Sequence, residues 1–487
     1  MNFFENLLDT PEFITHFNDI ASLIILNFAL AFYLITALQW YNYKLSRVAF
    51  HFTRFSWHIY FIFLPWFVYI IFSRFFLIYA LVFWLPFLYL WHKKLDKKLV
   101  FTTKIKAFFA FLTLFILLFI FLSLEFNFTA NVLPLIFALI VLKIFELAQT
   151  RYFLKKAHKK LAANKDLKII LITASFGKTS IKNFLFECLK ADFVVHKSPR
   201  SVNTLLGIVA DINENLPSNA EIYIAEAGAR KKGDILDITR LLSPQIVIIG
   251  ELGGAHLEYF KSLENIRTTK LEALQSVNLK RAFCHSSTLQ NEDETCEIYD
   301  KHLKSVNSSL DGLEFELEIK GKNERFNANL LGGFNAQNLC ACVLCGHFLG
   351  VSLNTLKNVV SKMSSVEHRL QIISKTPKFI IDDGFNGNFK GMSESYKLCA
   401  SYKGRRVLVT PGIVEVSREE NAKLAAVINE CFDLVIIIGE VNSRVLSENL
   451  SISKLVLKDK ALLVQTLAEQ TQAGDLILFS NDTPSFM

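Results

Sequence analysis

What most limits the folding of this chain is the crowding of apolar residues before about residue 150. Runs recur at Ala21–Trp40, Ile59–Phe72, Phe75–Trp91, Ala107–Leu124 and Val132–Ala148, and the 45 Phe of the chain concentrate there. A bilayer core takes about 20 residues of helix, and several of these runs approach that length. The second and third are shorter and are separated only by Ser73-Arg74, as in a tight helical hairpin. In hydrocarbon every backbone polar group needs an internal partner, so such segments have to be helices. The reading is five spans, with four as the alternative. A secretory signal does not explain the pattern, because the run repeats and no small-residue cleavage site follows the first one.

Charge placement orients these spans. The tail carries Glu5, Asp9, Glu12 and Asp19, whereas Lys44, Arg47 and Arg54 follow the first run. Lys93, Lys94, Lys97, Lys98, Lys104 and Lys106 follow the third, and Arg151, Lys155, Lys156, Lys159 and Lys160 follow the fifth. Alternate loops are basic, which places the N-terminus outside and the long C-terminal part in the cytoplasm, at a bacterial inner membrane. The net charge of +8 is thus explained by membrane orientation, and no nucleic-acid partner is expected. Trp40, Trp57 and Trp91 fall at the expected interfaces. Lys143 and Glu146, three apart in the last run, share a helix face, either as an intramembrane pair or as interfacial snorkelling. Thr150–Lys168 reads as a basic helix lying on anionic lipid.

After the membrane part the chain changes character. All eight cysteines occur there without the paired spacing of a disulfide framework, which fits a reducing compartment. Lys168–Thr173 is a buried-strand pattern, followed at once by Ala174-Ser-Phe-Gly-Lys-Thr-Ser180 and an amphipathic helix to about Leu189. Strand, tight loop and helix N-terminus together aim backbone N–H groups and a positive dipole end at phosphate oxygens. In that setting Ser175, Gly177 and Ser180 belong to the cradle, Lys178 reaches the terminal phosphates and the Thr179 hydroxyl holds Mg²⁺. Cys340, Cys342, Cys345 and His347 spread around a helix axis and read as core packing.

These segments resemble the Mur ligase family. The loop fits that family's Gly-Thr-x-Gly-Lys-Thr, with Ala174 in place of its first Gly, a replacement that requires negative φ there. Ser201-Val-Asn203-Thr204-Leu-Leu-Gly207 is similar to its substrate-side segment, and Ile222–Gly228 to the strand that ends in a metal-binding acid, Glu226. Ala255-His256-Leu-Glu258 resembles the motif whose His is a second metal contact. Thr269-Lys270-Leu-Glu272 resembles the motif whose lysine is carbamylated in several members, and Gly332–Asn338 the signature that places Asn338 on adenine. Glu367-His-Arg369 matches the arginine that reaches the γ-phosphate. Phe379-Ile-Ile-Asp382-Asp383-Gly-Phe385-Asn386-Gly-Asn388 looks like the Asp-Asp-x-Tyr-Asn-x-Asn segment of the branch that adds D-alanyl-D-alanine.

The resemblance implies an ATP- and Mg²⁺-dependent ligase. It would phosphorylate the carboxylate of a UDP-muramyl tripeptide and join D-alanyl-D-alanine to the acyl phosphate. Lys178, His256, Lys270 and Arg369 would be catalytic. Metal would be held by Thr179, Glu226, His256 and carbamylated Lys270; nucleotide by Ser175, Gly177, Lys178, Thr179, Ser180, Asn338, Arg369 and Asp383; substrate by Asn203, Thr204, Asp382 and Asn386. The expected fold is an α-helical transmembrane part at 1–150, a basic linker at 151–165, a P-loop-type α/β ATPase domain at 166–348 and a Rossmann-like α/β domain at 349–487. The strand patterns Val407–Glu415, Leu434–Glu440 and Gly474–Asp482 supply the last domain. Membrane helices stand where typical members hold the UDP group, which keeps a lipid-linked cell-wall acceptor as an alternative. A membrane scaffold or transporter with a degenerate nucleotide module is the reading from a different class.

Overall fold

The structure is a computed structural model that describes residues 11–41, 43, 48, 55–95, 98–126, 130–254, 260–385, 387–413 and 416–481. Glu5, Asp9, Lys44, Arg47, Arg54 and Lys97 lie outside the described residues. The chain divides into two compact units, Met1–Tyr152 and Phe153–Ser485.

The first unit is helical. Four helices, His16–Trp40, Ser73–Lys93, Thr103–Phe126 and Leu133–Ala163, are long and apolar enough to cross a membrane, and Ser56–Ile71 is a shorter apolar helix. The expected hairpin is present. Ring pairs Trp57/Trp91, Phe61/Phe87 and Tyr69/Phe76, with centroids 5.7, 5.5 and 5.1 Å apart, run antiparallel along its two arms. Each arm widens into a π-helical segment, Ile59–Phe63 and Ala80–Trp84, just before a Leu-Pro pair. Proline lacks an N–H and its ring crowds the preceding turn, so a local change of helical pitch relieves the ladder. Asn27 is buried and accepts from Leu135 N at 3.1 Å while donating to Leu23 O and Asn131 O, both at 2.9 Å. It thereby satisfies an amide at the start of the last helix. Glu146 does pair with Lys143 (3.2 Å), and also with Lys104 of the preceding helix (3.6 Å).

The second unit begins inside that last helix. The basic segment expected as a linker continues the apolar helix without a break to Ala163. Its end packs Leu154, Ala157 and Leu161 onto the core, and Asn213 Nδ2 donates to Phe153 O at 3.0 Å.

Six parallel strands follow: β1 (Lys168–Thr173), β2 (Val195–Lys197), β3 (Ile222–Glu226), β4 (Ile246–Ile249), β5 (Arg281–Cys284) and β6 (Cys296–Ile298), in the order β2-β3-β1-β4-β5-β6. Alternation splits their side chains between two cores. Ile170, Ile172, Ile224 and Ile248 meet Phe184 and Leu185 of the helix Lys178–Leu189. Leu171, Tyr223 and Val247 meet Ile208 and Ile212 of Leu205–Glu214 and Ile238 of Asp234–Leu242. Both faces are covered, so the strands read as unbroken apolar runs. From β1 the chain turns toward β2, and from β3 it crosses to β4, leaving a crevice at the carboxyl ends of β1 and β3.

An antiparallel sheet of β7 (Leu303–Ser309), β8 (Gly312–Ile319) and β9 (Lys322–Ala328) comes next, an element the motif reading passed over. The alternation in Leu313-Glu-Phe-Glu-Leu-Glu-Ile319 carries its signal, since the apolar set is buried and the acids are not. The second six-stranded sheet comprises β10 (Gln371–Ser374), β11 (Phe379–Asp383), β12 (Arg406–Thr410), β13 (Leu434–Ile438), β14 (Ser453–Leu457) and β15 (Leu476–Ser480). Its order is β10-β11-β15-β12-β13-β14, parallel except for β10. Cys340, Cys342 and Cys345 are buried as core groups.

Candidate active site

The loop Ala174–Gly177 joins β1 to the helix Lys178–Leu189. Ala174 does not have positive φ, so its methyl group is tolerated, whereas Gly177 does, at +78°. A Cβ on Gly177 would also lie 2.6 Å from Asn338 Oδ1, so a side chain is excluded there twice over. The amides of Ser175 and Phe176 donate to Glu251 O at 2.9 and 3.3 Å, and Ser175 Oγ donates to Gly253 O at 3.0 Å. The loop is therefore clamped to the segment after β4. No side chain caps the helix at Gly177, so its first amides face the crevice uncapped. Ser180 is buried in the first turn.

Charged groups converge here. Lys178 arcs back over the loop, donating to Ala174 O at 2.8 Å and Ser175 O at 3.2 Å. Burial, helped by the charge of Arg369, pulls its pKa down to about 8 against the attraction of Glu226. Thr179 Oγ1 donates to Glu226 Oε2 at 3.2 Å. The other oxygen, Oε1, lies 2.7 Å from Lys182 Nζ but accepts no hydrogen bond. Lys270 is buried, and its pKa is depressed well below the usual lysine range by burial and by the charge of Lys178. Glu272 beside it accepts from Gly233 N (2.7 Å) and Leu236 N (3.0 Å), capping the helix Asp234–Leu242.

Arg369 enters from the second α/β layer. It is half-buried, close enough to Lys178 and Glu226 for their charges to act on one another. A tight turn presents it, with His368 (φ +59°) and Leu370 (φ +48°) both left-handed on either side. Such strain persists only where surrounding contacts hold it, and the paired acids supply them. Asp383 accepts from Leu370 N at 3.0 Å and from Ser395 Oγ at 2.8 Å, while Asp382 Oδ2 pairs with His368 Nδ1 at 2.6 Å. The geometry thus gives Asp382 and Asp383 a place behind the arginine turn, where the sequence pointed to substrate and nucleotide.

Asn203 O accepts from Gly228 N at 2.8 Å, and its side chain packs on Gly228 next to Glu226. The Thr204 hydroxyl caps the helix Leu205–Glu214, accepting from Gly207 N at 3.3 Å. Asn338 donates to Asn335 Oδ1 at 3.2 Å. Close by, Phe334, Gly333, Gln337, Val306, Lys390 and Glu394 line an open cavity of about 370 Å³. His256 and Asn386 lie outside the described residues. Three residues were not anticipated: Lys182, and the pair Glu251 and Lys390, whose charged atoms are 2.5 Å apart. Among the described residues no group of three or more His, Cys, Asp or Glu forms a metal cage. Mg²⁺ needs none, since it takes one or two carboxylates together with substrate phosphates. The buried Glu226 carboxylate, whose Oε2 accepts from the Thr179 hydroxyl, fits a hard cation.

The Mur ligase middle domain matches residues 172–346. The UDP-N-acetylmuramoyl-tripeptide–D-alanyl-D-alanine ligase of Bacillus subtilis is 27% identical over 340 residues, covering 64% of this chain and 72% of that protein. Its counterpart from Borreliella burgdorferi is 25% identical, covering 56% of this chain and 63% of its own length, so the chain spans less than two thirds of that relative. Two solved structures share the fold. MurF ligase from Thermotoga maritima in complex with ADP aligns with TM-score 0.60 at 21% identity, covering 68% of this chain and 80% of the other. The D-alanyl-D-alanyl ligase from Acinetobacter baumannii aligns with TM-score 0.62 at 22% identity, covering 68% and 76%. The phosphate loop, the acidic end of β3 and Asn338 all fall within the stretch that matches the Mur ligase middle domain.

Proposed function

We propose that this chain is an ATP-dependent, ADP-forming ligase that joins D-alanyl-D-alanine to UDP-N-acetylmuramoyl tripeptide at the cytoplasmic face of a bacterial inner membrane. The observation that carries the reading is the gathering of Lys178, the Thr179–Glu226 pair and Arg369 around one crevice. On this reading residues 166–348 work as a P-loop-type ATPase domain and 349–487 as a Rossmann-like closing domain, with 151–165 leading from the membrane helices of 1–150.

Two polyanions must meet for the chemistry to proceed, so positive charge has to be assembled beforehand. The tripeptide carboxylate attacks the γ-phosphorus of ATP, giving an acyl phosphate and ADP. The dipeptide amine then attacks the acyl carbon, an amide forms and phosphate leaves. Lys178 and Arg369 neutralise charge on the transferred phosphoryl group, the latter arriving with the closing domain. Asn338 and the neighbouring cavity receive the base. Thr179 and Glu226, with His256, would hold Mg²⁺, which would offset the repulsion between carboxylate and phosphates. Burial and the charge of Lys178 lower the Lys270 pKa, which favours the amine form that reacts with CO₂ and supports its carbamylation as a further anionic ligand. Asn203, beside Glu226, faces the acceptor side.

Mass spectrometry of products formed from ATP, Mg²⁺, UDP-muramyl tripeptide and D-alanyl-D-alanine tests the reading. The expected product gains one dipeptide less one water; no turnover on this pair would sink it. The four apolar helices favour a second reading, a lipid-linked acceptor in the bilayer, and ATP turnover compared between UDP-linked and lipid-linked acceptors separates the two.

A further inference from the structure

Lys182 has no part in the chemistry above, yet it is 1% exposed, beside a Glu226 that is 0% exposed. Burying an ammonium is costly unless its surroundings are built for it. Here they are. Lys182 Nζ donates to Ser198 O at 2.7 Å and to Arg200 O, and lies 2.7 Å from Glu226 Oε1. Its partners come from two different segments. Ser198 and Arg200 belong to the stretch after β2 that leads into Asn203 and Thr204, and Glu226 ends β3. The lysine itself is on the helix that starts at the phosphate loop, one turn beyond Lys178.

We infer that Lys182 is a positioning residue that couples the nucleotide side of the site to the acceptor-side segment Ser198–Thr204. Its charge draws Glu226 Oε1 inward, which leaves Oε2 facing Thr179. Its two carbonyl contacts fix the start of the acceptor segment. Any ligand that draws on the Glu226 carboxylate therefore changes the field at Lys182 and, through it, the hold on Ser198 and Arg200. Neutral residues of similar size retain the packing and lose the link. This rests on the ligase reading only in naming which side receives nucleotide and which receives acceptor.

The test is amide hydrogen exchange on the full chain in detergent, with and without Mg²⁺ and a non-hydrolysable ATP analogue. Without nucleotide, Lys182→Met should exchange at least tenfold faster than wild type over residues 198–204. With nucleotide, wild type should gain protection over those residues, and Lys182→Met should not, although it still binds the analogue. Glu226→Gln keeps the carbonyl contacts, so its nucleotide-free exchange there should match wild type, while at analogue concentrations shown by titration to saturate the variant the response to nucleotide disappears; this arm stands even if Lys182→Met does not fold. Unchanged exchange in Lys182→Met, or an intact response in either variant, would overturn the inference. A wild-type chain that binds no nucleotide would refute the ligase reading instead, and the nucleotide-free comparison would still decide whether Lys182 anchors the segment.

Discussion

Replacing Gly177 by Ala perturbs the site through two separable terms. The first is backbone strain: an L-residue held at φ +78° costs about 1–2 kcal/mol relative to glycine. The second is collision, because the new Cβ would lie 2.6 Å from Asn338 Oδ1. Asn338 has to swing away and lose its bond to Asn335 Oδ1, which costs about 0.5–1.5 kcal/mol. Together the loss is about 1.5–3.5 kcal/mol, or about 2–5 °C in Tm for a unit of this length. Nucleotide affinity should fall too, since the displaced amide lies beside the cavity proposed to receive the base. A double-mutant cycle with Asn338→Ala separates the terms. The collision vanishes in the double variant while the strain stays, so the two substitutions should cost about 1 kcal/mol less together than their sum. Thermal unfolding and analogue titration of the four proteins measure this. A Gly177→Ala chain melting within about 1 °C of wild type, or strictly additive costs, would refute the reasoning.

Lys178→Ala should abolish ATP turnover while the chain stays folded, as read by product formation and thermal unfolding; retained turnover would refute the role of Lys178, and a wild type without turnover would favour the degenerate-module reading. The Glu251–Lys390 pair links the phosphate-loop clamp to the helix Phe389–Ala400. Because Lys390 is largely exposed, Lys390→Glu should lower kcat/KM only about two- to fivefold, and the charge swap with Glu251→Lys should restore it. Ala157→Glu buries an unpartnered carboxylate in the core against which the helix Leu133–Ala163 ends, so it should destabilise by several kcal/mol in thermal unfolding. Glu297 holds the His302 pKa above its ordinary value. A raised histidine pKa means stability that is fully present below the unfolded value near 6.5 and is lost as pH rises through the folded value. Tm should therefore fall across that window in wild type, and His302→Gln should flatten the slope.

Elements encoded by neighbouring residues were legible in the chain itself. The apolar runs, the hairpin near Ser73, β1 with its loop and helix, and β11 with its paired acids follow from period, length and turn chemistry within about 20 residues. The antiparallel sheet β7–β9 was equally local, and its alternating pattern was there to be read. Span count was less secure, because Ser56–Ile71 carries the composition of a span without the length.

Which side chains meet was decided by tertiary structure. Thr179 and Glu226 are 47 residues apart and touch only because β1 pairs with β3. Asp382 and Asp383 read as ligand-facing in a linear motif, and the fold adds that they brace the strained turn that presents Arg369. Lys182, in a helix whose other buried side chains are apolar after Ser180, looked like one more lysine until the fold placed two carbonyls and a carboxylate around it. A residue pattern reports what a segment prefers when the partner is a neighbour along the chain. The partner of a buried charge is chosen by how distant segments close, and no local pattern contains that distance.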